Sequence, residues 1–97
     1  MAFFLTNLAK ADLKDIGRYT QKKWGIKQRN IYLTVLDNAF HFLAENPNKG
    51  RNCDEIRPAY KKYIVWKHII FYRETDGMHI EIVRILHGSM DTGKQFG

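Results

Sequence analysis

Apolar residues in the first half of the chain recur at helical spacing, and in the second half they alternate. Leu8, Ala9, Leu13, Ile16 and Tyr19 or Thr20 fall on one side of a helix, with Lys10, Lys14, Asp15 and Arg18 on the other. Thr6-Asn7 supplies N-cap oxygens at its start, and Gly25 stops it. A second helix is predicted from about Ile26 to Glu45. Leu33, Leu36, Phe40 and Leu43 form its inner stripe, with Ile26 and Tyr32 nearby. Asn46-Pro47-Asn48 ends it, because proline lacks the N–H that would continue the helix. Ahead of both helices, Phe3-Phe4-Leu5 suits a first strand. Trp24, beside Gly25, is expected to cover the corner between the helices.

Residues Asn48 to Pro58 read as a loop, after which the period falls to two. Ala59 to Val65 reads as a strand, Trp66-Lys67 as a turn, and His68 to Thr75 and Met78 to His87 as a hairpin closed by Asp76-Gly77. Asp-Gly is a strong hairpin signal because both residues tolerate positive φ. A two-residue turn would pair Phe71 with Ile82, Ile70 with Val83, Ile69 with Arg84 and His68 with Ile85. Arg84 would then share a face with Ile80, Ile82 and Leu86; a three-residue turn through Met78 would change that register. The polar tail from Gly88 reads as irregular or briefly helical.

Two helices cannot bury their stripes on each other alone. They are expected to pack on one face of the sheet, with Phe40 and Phe71 in a single helix-on-sheet core. The predicted architecture is α+β: a β-α-α-β-β-β two-layer sandwich, a helical hairpin on a small, mainly antiparallel sheet. With 97 residues, 44% of them apolar, the chain makes a single domain, 1–97.

The single cysteine, Cys53, excludes an intramolecular disulfide and fits a reduced, cytoplasmic setting; in its polar stretch it reads as chemically idle. Met1 to Leu5 is too short for a signal peptide, and no run approaches the ~18 apolar residues of a membrane span. The net charge of +6, sixteen Lys+Arg against ten Asp+Glu, suggests an acidic partner, although a solvated basic face explains it equally well. His41, His68, His79 and His87 are scattered without metal-ligand spacing, and no Gly-rich phosphate loop is present, so neither metal nor cofactor is expected. Asp12 and Asp15 read as a surface pair. A metal-free ribonuclease needs a base, an acid and cations for phosphate, and His87 with Arg73 or Arg84 would supply them. Against that, Arg84 reads more simply as a structural bridge to Asp91 or another acid, and His68 as a satisfied core or edge histidine. Trp66 at a strand turn would expose an indole as a contact point.

The chain resembles the ParE toxins of the RelE/ParE toxin–antitoxin superfamily over nearly its full length. The resemblance is carried by Leu5-Thr6, Asp12-Leu13, Tyr19-Thr20, Trp24-Gly25, Gly50-Arg51, Asp54-Glu55-Ile56-Arg57-Pro58 and Tyr60. It continues through His68, Ile70-Phe71-Tyr72-Arg73, Ile82-Val83-Arg84-Ile85-Leu86-His87 and Met90-Asp91. The family often has glycine where Ala59 and Trp66 stand here. The resemblance implies a bacterial toxin without enzymatic activity that blocks DNA gyrase and is neutralised by a ParD-like antitoxin. It implies no sequence-specific nucleic-acid binding and no membrane partner. Arg73, Arg84, His87 and Met90 are the expected target-binding residues; Arg57, Tyr60, Lys61 and Trp66 are the expected antitoxin-binding residues. The alternative is a ribosome-dependent messenger endonuclease of the RelE branch, although Ile69 stands where that branch places an arginine. A third reading is a non-toxic module that keeps only its antitoxin.

Overall fold

A computed structural model describes residues 2–77, 79–90 and 92–96. Strand β1 (Ala2–Leu5) leads into α1 (Asn7–Trp24) and α2 (Ile26–Glu45). A short 3₁₀ turn (Pro47–Lys49) precedes β2 (Arg51–Asn52), β3 (Lys61–Val65), β4 (His68–Thr75), β5 (His79–His87) and α3 (Thr92–Phe96). The sheet has five strands in the order β1-β5-β4-β3-β2. β1 runs parallel to β5 and every other pairing is antiparallel. Thr6 caps α1 as expected, its Oγ1 accepting from the Ala9 N–H at 3.0 Å. Gly25, at φ 95°, turns the chain into α2.

The helical hairpin covers one face of the sheet. Leu36, Phe40 and Leu43 of α2 meet Ile70 and Tyr72 of β4 and Ile80 and Ile82 of β5. Phe71 is not part of that core. It points to the opposite face, with Leu86 and Cys53, as the alternation of β4 requires. Phe96, Tyr60, Ile56 and Ile69 close over this second cluster. The expectation of one core shared by Phe40 and Phe71 is therefore corrected to two cores, one on each face.

The hairpin register also differs from the two-residue turn. Thr75 pairs with His79, so three residues make the loop; Met78, through which that longer turn was expected, lies outside the described residues. An irregularity beside Phe71 and Tyr72 then skips Val83, so that Phe71 faces Arg84, Ile70 faces Ile85 and His68 faces His87. One extra residue swaps the faces of everything after it. Arg84 shares a face with Leu86 and Phe71, not with Ile80 and Ile82.

Further corrections are local. β2 lies inside the expected loop, too short to show a period. β3 begins at Lys61 rather than Ala59, because Ala59 sits at φ 68°. Trp24 is largely exposed instead of covering the helix corner.

Candidate functional site

β1 pairs with β5 only as far as Ile82, which leaves the far half of β5 without a strand neighbour on that side. Thr6, which caps α1, and Asp12 within it complete the edge. The Thr6 N–H donates to the Ile82 carbonyl at 3.1 Å and the Thr6 hydroxyl to the Val83 carbonyl at 2.7 Å. Asp12 Oδ2 accepts from the Ile85 N–H at 2.9 Å and from Arg84 Nε at 2.8 Å, and Oδ1 accepts from Arg84 Nη2 at 2.9 Å. Both side chains are largely buried, at 12% and 14% exposure, so Asp12 is not the surface acid expected from sequence. The bidentate bond to Asp12 makes Arg84 hold its proton more tightly, against the opposing effect of burial. Arg84 is thus the structural bridge, with Asp12 as its acid. Asp91, the other expected partner, lies outside the described residues.

At the end of β4 and β5 an aromatic cluster forms. Trp66, at φ 51°, stacks nearly parallel on Tyr32 of α2, with ring centres 5.0 Å apart. The Tyr32 hydroxyl bonds His68 Nδ1. Burial raises the Tyr32 pKa, so the phenol keeps its proton and donates it, and the His68 ring proton sits on Nε2. Burial, then the neighbouring His87, lower the His68 pKa to about 4, opposed by Asp12. The His87 ring stands edge-on to His68 at 5.3 Å. Its Nδ1 accepts from the Ser89 N–H at 3.1 Å and lies 2.7 Å from the Ser89 hydroxyl, which places the proton of a neutral ring on Nε2. The Met90 N–H donates to the His87 carbonyl at 3.0 Å, and the Met90 side chain is exposed.

The expected target-binding set is only partly assembled. His87 and Met90 are neighbours, whereas Arg84 lies on the opposite face of β5 with its head group tied to Asp12. Arg73 pairs with Glu81 at 2.9 Å near the hairpin loop. It stands five positions along β4 from His68, roughly 17 Å at about 3.4 Å per residue. The expected antitoxin-binding set also divides. Arg57 and Tyr60 meet Phe96 of α3 on the second face. Lys61 bonds the Asn52 side chain across β2 and β3 at 3.1 Å. Trp66 stands at the other end of β3, on the helix side. Cys53 is fully buried despite its polar stretch, and burial raises its thiol pKa. Among the described residues no group of three or more His, Cys, Asp or Glu is placed to hold a metal. No helix of these residues is long and apolar enough to cross a membrane.

Sequence reasoning missed Asp12, Tyr32 and Phe96. Asp12 carried a signal: it lies three residues after Ala9 and four before Ile16, on the buried stripe of α1. An acid there requires a cation.

The sequence model of the family described as the ParE toxin of the type II toxin–antitoxin system parDE matches residues 3–92. The chain belongs to the ParE toxin family. Toxin ParE1 of Mycobacterium tuberculosis is 41% identical over 92 residues, spanning 95% of this chain and 94% of the relative. Toxin ParE1 of Caulobacter vibrioides is 36% identical, spanning 96% and 95%. A solved structure described as a chromosomal ParDE toxin–antitoxin system from P. aeruginosa superposes with a TM-score of 0.77, covering 90% of this chain and 95% of that one at 22% identity. This likeness confirms the helical hairpin on a mixed sheet. The structure also gives meaning to the two positions where the sequence resemblance led glycine to be expected. Ala59 and Trp66 both adopt positive φ, the backbone region where a Cβ is strained and glycine is not.

Proposed function

We propose that this toxin poisons DNA gyrase by binding it, without a reaction of its own, so that replication stops. A ParD-like antitoxin neutralises it in the cytoplasm. Membership of the ParE family supports both partners. The observation that carries the non-enzymatic part is the state of the basic residues. A phosphate-cleaving centre needs free cations beside an acid and a base. Here Arg73 is held by Glu81, Arg84 by Asp12, and His68 by the Tyr32 hydroxyl in a form that resists protonation. Half-buried His87 and exposed Met90 form the centre of the target surface, and Arg84 and Arg73, each paired with an acid, contribute by holding the strands that carry it. Arg57, Tyr60, Lys61 and Trp66 are the antitoxin-facing residues.

The test is His87→Ala, measured in two assays with folding checked by circular dichroism. Gyrase supercoiling inhibition should weaken in a graded way, by the equivalent of about 1–3 kcal/mol, as for one lost polar contact. Cleavage of a translated message should be absent for both proteins. Message cleavage by the unmodified chain that falls ~10²–10⁴-fold in the variant, with gyrase untouched by either, would replace this reading with the ribonuclease.

A further inference from the structure

The five residues of α3 are far too few to hold a helix by their own hydrogen bonds. Contacts to the second face hold it. The Phe96 ring stands edge-on to Phe71 at 5.0 Å and to Tyr60 at 5.9 Å. Phe71, Leu86 and Cys53, all buried, make the floor beneath. Two guanidinium groups then grip the backbone at the end of α3. Arg57 Nη2 donates to the Phe96 carbonyl at 2.6 Å, and Arg84 Nη1, the nitrogen that Asp12 leaves free, donates to the Gln95 carbonyl at 3.4 Å. The result is a socket for one aromatic ring, with guanidinium groups on two successive carbonyls of the chain that enters it.

The socket's preferences go beyond what α3 offers. Phe96 and Gln95 present neutral carbonyl oxygens, whereas a planar guanidinium binds a carboxylate more strongly. Arg57 bonds only the main-chain oxygens of Ile56 and Phe96 among its described contacts, so its charge meets no acid there. The +6 charge of the whole chain favours an acidic visitor further.

We propose that α3 is a replaceable occupant of this socket, which takes an aromatic side chain flanked by carboxylates from another protein chain. Phe96 is the internal stand-in for that visitor. The proposal does not depend on gyrase being the target, because it rests on the contacts of α3 alone; Arg57 and Tyr60 are also among the residues proposed above to face the antitoxin.

The test uses the full-length chain and a full-length Phe96→Ala variant, which vacates the socket. The probe is a short dye-labelled peptide with one phenylalanine between aspartates; the control carries asparagines instead. Fluorescence anisotropy should show the variant binding the aspartate peptide at least about tenfold more tightly than the unmodified chain does, because the internal competitor is gone. The asparagine peptide should bind about tenfold more weakly than the aspartate one, and adding Arg57→Gln should erase that difference. Hydrogen exchange on the unmodified chain gives a second readout: excess aspartate peptide should speed exchange of the amides at 92–96. A folded Phe96→Ala variant that binds no better than the unmodified chain, or binds both peptides alike, overturns the proposal. If the variant does not fold, unchanged exchange at 92–96 under excess peptide overturns it instead.

Discussion

The two faces of the sheet are built to different standards. On the helix side, 38 residues of α1 and α2 lie over strands whose inward side chains are almost all buried, and one continuous core results. On the other side, three buried residues are closed by a loop and one short helix. The first face carries the stability of the domain. The second is closed by a few ring contacts and two hydrogen bonds from arginines. Local opening is therefore expected to concentrate in the thin layer while the helix-side core keeps the fold.

The contrast can be broken at its strong end first. Phe40→Ala should cost about 3–5 kcal/mol and lower the urea midpoint sharply, since the ring is 2% exposed within the helix-side core. Phe96→Ala should cost much less, and equal costs would abolish the distinction between the faces. Asp12→Ala should follow at about 3 kcal/mol, because it strands a largely buried guanidinium and frees the Ile85 N–H. Arg84→Met in the same protein should recover part of that loss, measured as a double-mutant cycle.

A smaller effect concerns pH. With the His68 pKa lowered to about 4 from 6.5, the unfolded chain takes up a proton that the native ring refuses as pH falls between these values. Stability should therefore decrease with acidification from about pH 6.5 to 4, by about 1–2 kcal/mol after discounting for partial solvation of the ring. Tyr32→Phe should change that slope, and a flat profile in the unmodified chain would remove His68 from the account. The smallest expected change is a gain. Ala59→Gly removes a side chain from φ 68° and should stabilise the fold by up to about 1 kcal/mol once the extra freedom of the unfolded chain is subtracted, read as a small rise in melting temperature.

Much of this fold was legible because it rests on long periodic segments. The stripe through Leu36, Phe40 and Leu43 and the stops at Gly25 and Pro47 placed both helices, and α2 was expected over the very residues it occupies. The run Ile69 to Tyr72 marks a strand, but Phe71 was expected in the helix-side core with Phe40, because nothing periodic announces what lies over the other face. The cover consists of an irregular loop and five residues of helix, which leave no pattern. The skipped Val83 was equally silent: a bulge is a local decision of the backbone, and it re-aimed Arg84. Tyr32 and His68 are 36 positions apart and meet only because α2 crosses the strand ends. The resemblance to ParE toxins did flag Ala59 and Trp66 as unusual, and their backbone angles supply the reason.

Asp12 and Thr6 have one more consequence. A strand edge with unpaired N–H and C=O groups is an invitation to any other extended chain, including identical copies crowded together during synthesis. The Thr6 N–H and hydroxyl and the Asp12 carboxylate occupy the hydrogen-bonding groups of Ile82, Val83 and Ile85, so that stretch of β5 cannot recruit a foreign strand. Sheet extension is left to the outer side of β1 and to the two-residue β2. Loss of Asp12 would thus matter in concentrated solution even where the fold survives, because it would turn a sealed border into a point of self-association.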